Sequence, residues 1–148
     1  MSTIIERFNK IKSNIEKNNN NNSIKIVAVS KTFTLDHIMP LVKHGHIHFG
    51  ENKVQEAENK WLQTKLINNN IKLHMIGKLQ SNKAKKAVEV FDYIHSVDSQ
   101  KLADVLSKAQ SLINKSVKYF IQVNIGNENQ KSGIPYNEVD GFYNYCSK

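Results

Sequence analysis

Apolar residues recur at helical spacing from the start of the chain: Ile4, Ile5, Phe8, Ile11 and Ile15 form one stripe with polar residues between them. That pattern predicts an amphipathic helix with one buried face. It stops at Asn18 to Asn22, five asparagines in a row, which read as a polar surface loop rather than a binding element. The period then shortens. Residues 24–30 (IKIVAVS) are β-branched and nearly all apolar, as expected of a strand buried on both faces of a parallel sheet. A helical stretch over 34–44 follows, closed by Gly45 at a C′ position.

The same kind of unit then recurs, without any repeat in the residues themselves. Strands are predicted over 46–49, 72–76, 92–97 and 117–124, and helices over 52–67, 81–90, 99–113 and after Pro135. Asp98 or Ser99 is placed to cap the helix over 99–113, and the fixed φ of Pro135 suits a first helical turn. Five strand–helix units with short links, preceded by a helix, predict an α/β fold with a parallel sheet. Alternation alone does not separate an open doubly wound sheet from a (β/α)8 barrel. Both architectures place functional groups at the C-terminal ends of the strands. With 148 residues and 39% hydrophobic content, one domain over 1–148 is expected.

Charge changes this picture little. The formal net charge is +8, but Arg7 is the only arginine, and bidentate capture of phosphates and guanine edges is arginine chemistry. The lysines are scattered apart from Lys83, Lys85 and Lys86, whose spacing describes a solvated helix face, so no nucleic-acid partner is expected. Cys146 is the only cysteine, which excludes an internal disulfide. The first residues carry Glu6 and Glu16 and lack the long apolar run of a secretory signal. No segment approaches the roughly 20 apolar residues of a membrane span. A reducing cytoplasm and no membrane partner are the expectation.

Candidate chemistry gathers at the strand ends, at Ser30-Lys31-Thr32, Phe49-Gly50-Glu51-Asn52, Gly77-Lys78-Leu79-Gln80, His95-Ser96-Val97-Asp98 and residues 124–133 (NIGNENQKSG). Lys31 stands out. A lysine directly after a buried strand sits where desolvation disfavours the ammonium form, and a neutral amine is what attack on a carbonyl requires. Snorkelling from a strand end is the competing explanation, and spacing alone leaves both open.

Four stretches sharpen this: IVAVSKT, FGENKVQE, HMIGKLQSNK and VNIGNENQKSGI. In that order and at these separations they closely resemble motifs of the pyridoxal phosphate homeostasis family, over residues 24–134. The resemblance implies an alanine racemase-like barrel of the TIM type. It further implies pyridoxal 5′-phosphate as cofactor, held as a Schiff base by Lys31, with Asn52 and Gly77 as further cofactor neighbours. Asn52 would be a polar group beside the cofactor, with helix capping as its alternative. Gly77 would permit close backbone approach to the ring, with a tight turn as its alternative. Lys131 would be a second amine near the mouth, without an assigned role. The family's later segments, whose amides and hydroxyls hold the cofactor phosphate, have no counterpart before Lys148. The expectation is therefore about five βα units of a barrel truncated at its C-terminus, without the phosphate cup. Such a sheet has open edges and poor autonomous stability.

The implied role is a non-catalytic carrier in pyridoxal phosphate homeostasis, with pyridoxal-dependent apoenzymes as recipients. The alternatives are a racemase-like enzyme and a non-functional fragment. A racemase needs a second base across the cofactor, and Tyr93, Tyr119, Tyr136, Tyr143 and Tyr145 offer no clear match. His44, His46 and His48, on alternate positions of a strand, suggest a metal site, but no suitably spaced carboxylate completes it. No metal is expected.

Overall fold

The computed structural model of the chain describes residues 3–18 and 23–148. The N-terminal stripe forms α1 (Ile4–Asn18). Its first turn is closed by a reciprocal pair: Thr3 N donates to Glu6 Oε2 at 2.8 Å and Glu6 N to Thr3 Oγ1 at 3.2 Å. Asn18 is the last residue of this helix rather than the first of a loop, and residues 19–22 of the asparagine run lie outside the described residues.

Five parallel strands follow: β1 (Ala28–Val29), β2 (His48–Glu51), β3 (Lys72–Met75), β4 (Tyr93–Val97) and β5 (Lys118–Ile121). They lie side by side in chain order, β1-β2-β3-β4-β5. Each crossover therefore steps one place in the same direction. A doubly wound sheet reverses at a switch point, whereas an unreversed order is that of a barrel. The crossovers carry α2 (Leu35–Lys43), α3 (Val54–Ile67), α4 (Ala84–Val90) and α5 (Gln100–Ser111), with α3 packed on α4 and α4 on α5. The fold is thus an arc of a βα barrel of the TIM type, with α1 packed on α2.

Helix ends follow local chemistry. After α2, Gly45 adopts φ +89°, with Gly45 N on Val42 O and His46 N on Leu41 O, both at 3.0 Å, which is the double bond of a Schellman turn. Ser99 caps α5 by accepting from Leu102 N at 3.2 Å. Asp98, the other capping candidate, instead accepts from Gly133 N.

Three expected elements differ. The strand over 24–30 shrinks to Ala28–Val29, and Ile24 and Val29 are 47% and 52% exposed. Among the described residues β1 pairs with β2 alone, at the edge of the sheet, which leaves its other side uncovered. The strand over 117–124 divides at Gln122, which donates its N–H to Val97 O and accepts at its own carbonyl from Ile134 N. There the chain leaves β4 and becomes β6 (Val123–Asn124), parallel to β7 (Ile134–Pro135). The helix over 81–90 begins as a 3-10 turn, Ser81–Lys83. A second such turn, Tyr136–Glu138, follows Pro135 and leads into α6 (Val139–Cys146).

The two sheet faces differ in chemistry. Phe49, Leu73, Met75 and Ile94 are buried on the helix side with Ala57, Trp61, Ala87, Val88 and Leu102. The register places Val29, Gly50, His74, Tyr93 and Lys118 together on the opposite, concave face. By alternation His48, His95 and Phe120 join them.

Candidate functional site

All five strands run the same way, so the loops after β1, β2 and β3 emerge at one end of the sheet. Lys31, Asn52 and Gly77 each lie in one of these loops.

The turn carrying Lys31 is held from α3. Ser30 is buried and continues the β1 ladder, its N–H donating to Gly50 O at 2.9 Å. Its hydroxyl donates to Glu51 Oε1 at 2.6 Å, and its carbonyl accepts from Lys60 Nζ at 2.8 Å. On the other side of Lys31, Thr32 N donates to Glu56 Oε1 at 2.8 Å. Thr32 itself has φ +67°, a left-handed conformation that a β-branched residue adopts only under constraint. Lys31, between these anchors, is exposed. The burial expected of it is not found among the described residues, where the strand before it is short and half exposed.

Behind the turn lies a buried ionic cluster. Glu51 is fully buried, and its Oε1 also accepts from Lys60 Nζ and from Trp61 Nε1, both at 2.9 Å. Lys60, one turn after Glu56 on α3, bonds Glu56 Oε1 as well, at 3.2 Å. The Thr32 N–H, followed by Lys60, holds the Glu56 carboxyl below its ordinary range despite the opposing effect of desolvation.

Asn52 and Gly77 are packed together. A Cβ built on Gly77 would lie 2.4 Å from the Asn52 carbonyl oxygen and 2.8 Å from its Cα. The glycine thus serves close approach to the Asn52 backbone. Asn52 does not cap α3, whose N-cap is Lys53. Its Oδ1 is shielded from solvent and has no hydrogen-bond partner among the described residues, and such an acceptor suits a ligand donor. An exposed primary amine and an unsatisfied buried acceptor on neighbouring loops could serve a ligand that carries a carbonyl and a hydrogen-bond donor. Lys131 instead pairs with Glu128 at 2.6 Å on an exposed loop. That loop is folded by Asn124, whose side chain donates to Glu128 O and accepts from Glu128 N.

The histidines form a different group from the one the sequence suggested. His46 is bonded to the His48 carbonyl oxygen at 2.8 Å, which removes it from any shared site. On the concave face His48 Nδ1 meets His74 Nε2 at 2.9 Å, and His74 Nδ1 meets His95 Nε2 at 2.8 Å. Tyr93 stacks on His74 with centroids 4.2 Å apart, and Phe120 stacks on His95. Burial lowers the pKa of all three imidazoles, that of His74 to about 4. Among the described residues no group of three or more His, Cys, Asp or Glu side chains could hold a metal ion. No local pattern in the sequence links His74 and His95 to His48, because each is a lone histidine in its own strand. The signal was the recurrence of a histidine in three successive strands, at His48, His74 and His95.

Comparison with known proteins places this geometry in a family. The alanine racemase N-terminal domain matches residues 6–148. A pyridoxal phosphate homeostasis protein of Haemophilus influenzae is 38% identical over 124 residues, which cover 84% of this chain and 52% of that protein. One from Schizosaccharomyces pombe is 33% identical over 141 residues, 94% of this chain and 58% of that protein. The chain spans about half the length of the curated relatives it matches. The structure of PipY from Synechococcus elongatus with pyridoxal phosphate bound superposes with a TM-score of 0.84 at 35% identity, covering 97% of this chain and 63% of PipY. PipY without the cofactor gives 0.87 at 36% identity, covering 98% and 65%. An alanine racemase of Clostridium difficile shares the fold, with a TM-score of 0.66 at 13% identity over 94% of this chain and 36% of that enzyme. The chain belongs to the alanine racemase N-terminal domain family and, within it, to the pyridoxal phosphate homeostasis group.

Proposed function

We propose that this chain binds pyridoxal 5′-phosphate through the amine of Lys31 and serves the cell's handling of that cofactor as a carrier rather than a catalyst. The observation that carries the reading is the turn after β1. It presents an exposed lysine at the C-terminal end of a barrel-ordered sheet, beside the loop of Asn52. When bound, the cofactor supplies an aldehyde that condenses with a primary amine, releasing one water. Lys31 provides the amine. The buried Asn52 Oδ1 accepts a hydrogen bond from the ligand, and Gly77 keeps the Asn52 loop against β3. On this reading residues 1–148 act as one domain, the amino-terminal part of the barrel. The cofactor passes to pyridoxal-dependent apoenzymes in the reducing cytoplasm, where the exposed Cys146 stays a thiol. No helix among the described residues is long and apolar enough to cross a membrane.

A carrier is favoured over a racemase by where the tyrosines lie. Tyr93 begins β4, at the opposite end of the sheet from Lys31. Tyr119 and Tyr145 are hydrogen-bonded to Gln110 and Asp104. None of these three offers a second base across from the Lys31 amine.

The test is to incubate the purified chain with pyridoxal phosphate, reduce with borohydride and map the modified lysines by mass spectrometry. Label concentrated on Lys31, and lost from that position in Lys31→Ala, is the expected result. Label spread over the exposed lysines without preference for Lys31 would refute the reading.

A further inference from the structure

We propose that Glu56 and Lys60 are positioning residues for Lys31, holding from α3 the two peptide groups on either side of it so that its side chain leaves the turn in one direction. The inference rests on the reading that Lys31 receives the cofactor, and it concerns how the chain singles out this lysine among many exposed ones.

Side chains of α3 hold both peptides that flank Lys31. The peptide before it is held at its carbonyl, Ser30 O, by Lys60 Nζ at 2.8 Å. The peptide after it is held at its N–H, Thr32 N, by Glu56 Oε1 at 2.8 Å. With one polar atom of each flanking peptide anchored, rotation about both backbone bonds of Lys31 is restrained. The anchors are themselves fixed. Lys60 and Glu56 are bonded to each other, and Lys60 is bonded to the fully buried Glu51, which Trp61 and Ser30 also hold. The left-handed Thr32, at φ +67°, shows the constraint at work, since a threonine keeps such a conformation only where surrounding bonds impose it.

An unrestrained lysine would sample many directions. A restrained backbone fixes the direction in which the side chain leaves the turn, which keeps the reach of its amine centred on the site and raises its effective concentration toward a bound carbonyl. Glu56 and Lys60 need not touch the cofactor to do this.

The test applies the same reductive labelling to the native chain, Glu56→Ala, Glu56→Gln and Thr32→Pro. Glu56→Ala removes the acceptor for Thr32 N–H, whereas Glu56→Gln keeps an oxygen there. Thr32→Pro removes the donor and forbids positive φ while leaving α3 untouched. Lys31's share of the total label is expected to fall about fivefold or more in Glu56→Ala and in Thr32→Pro. Labelling of the other lysines should stay unchanged, with Glu56→Gln close to native. A lowered melting temperature with an unchanged Lys31 share would overturn the proposal and leave a merely structural role. If Glu56→Ala does not fold, Thr32→Pro decides by the same measure. A native chain that labels Lys31 no more than other lysines would overturn the underlying reading and this inference with it. A native preference that both variants retain would overturn the inference alone.

Discussion

At Gly77 the absence of a side chain is a packing requirement that outlives any ligand: a methyl group there would meet the Asn52 carbonyl oxygen at 2.4 Å and Asn52 Cβ at 2.7 Å. Backbone cannot step aside as a flexible side chain would. Gly77→Ala is therefore expected to cost about 1–3 kcal/mol, as overpacking does, and to displace the loop after β2; thermal melting of the variant checks this. Lys31, Asn52 and Gly77 could each be located from the sequence because strand ends are visible there, but their relations could not. Glu51 and Glu56 belong to the FGENKVQE stretch, yet nothing in one dimension says that Glu56 reaches Thr32. Lys60 lies outside every motif and looked like one more surface lysine. It is a buried ion-pair partner because α3 places it over Glu51. Lys31 is exposed rather than buried for a related reason, since burial of a strand end depends on what covers it.

Helices and their ends were legible at the scale of elements because capping is local. The residues of α2, α3 and α5 lie within the ranges that periodicity suggested, and Gly45 and Ser99 perform the terminal roles their residue types imply. Ser99→Ala should remove the acceptor for Leu102 N and cost about 1 kcal/mol. A melting temperature equal to that of the native chain would show that water replaces this cap without loss. Strands were less legible. Residues 24–30 are apolar enough for a long strand, but only Ala28 and Val29 pair in register with β2, and Ser30 adds one further N–H bond to it. The division at Gln122 is likewise a matter of partners, with β4 on one side of the break and β7 on the other.

The imidazole chain His48–His74–His95 spans three strands of the whole sheet and makes folding sensitive to acid. The groups acting on His74 are His95 and His48 beside it, Lys25, and the opposing Asp92, all secondary to burial. Its folded pKa of about 4 lies below the ordinary 6.5. Between these values the unfolded chain binds a proton that the folded chain does not, so stability must rise with pH across that window and fall as acid is added. Above pH 6.5 both states are neutral and the effect vanishes. His74 alone sets a ceiling of about 3 kcal/mol lost by pH 4, with His48 and His95 acting in the same direction. Melting temperatures measured between neutral pH and pH 4.5 should fall progressively below 6.5, and a flat profile would contradict this account. By itself the sequence determined the alternating elements, the strand-end polar groups and the resemblance that singled out Lys31, because period, capping and motif order act over short stretches of chain. Only the tertiary structure decided the unreversed strand order, the concave face with its linked histidines, and the cluster behind the Lys31 turn. Those depend on hydrogen bonds and burial between segments that meet only when the sheet curves and the helices close over one side of it.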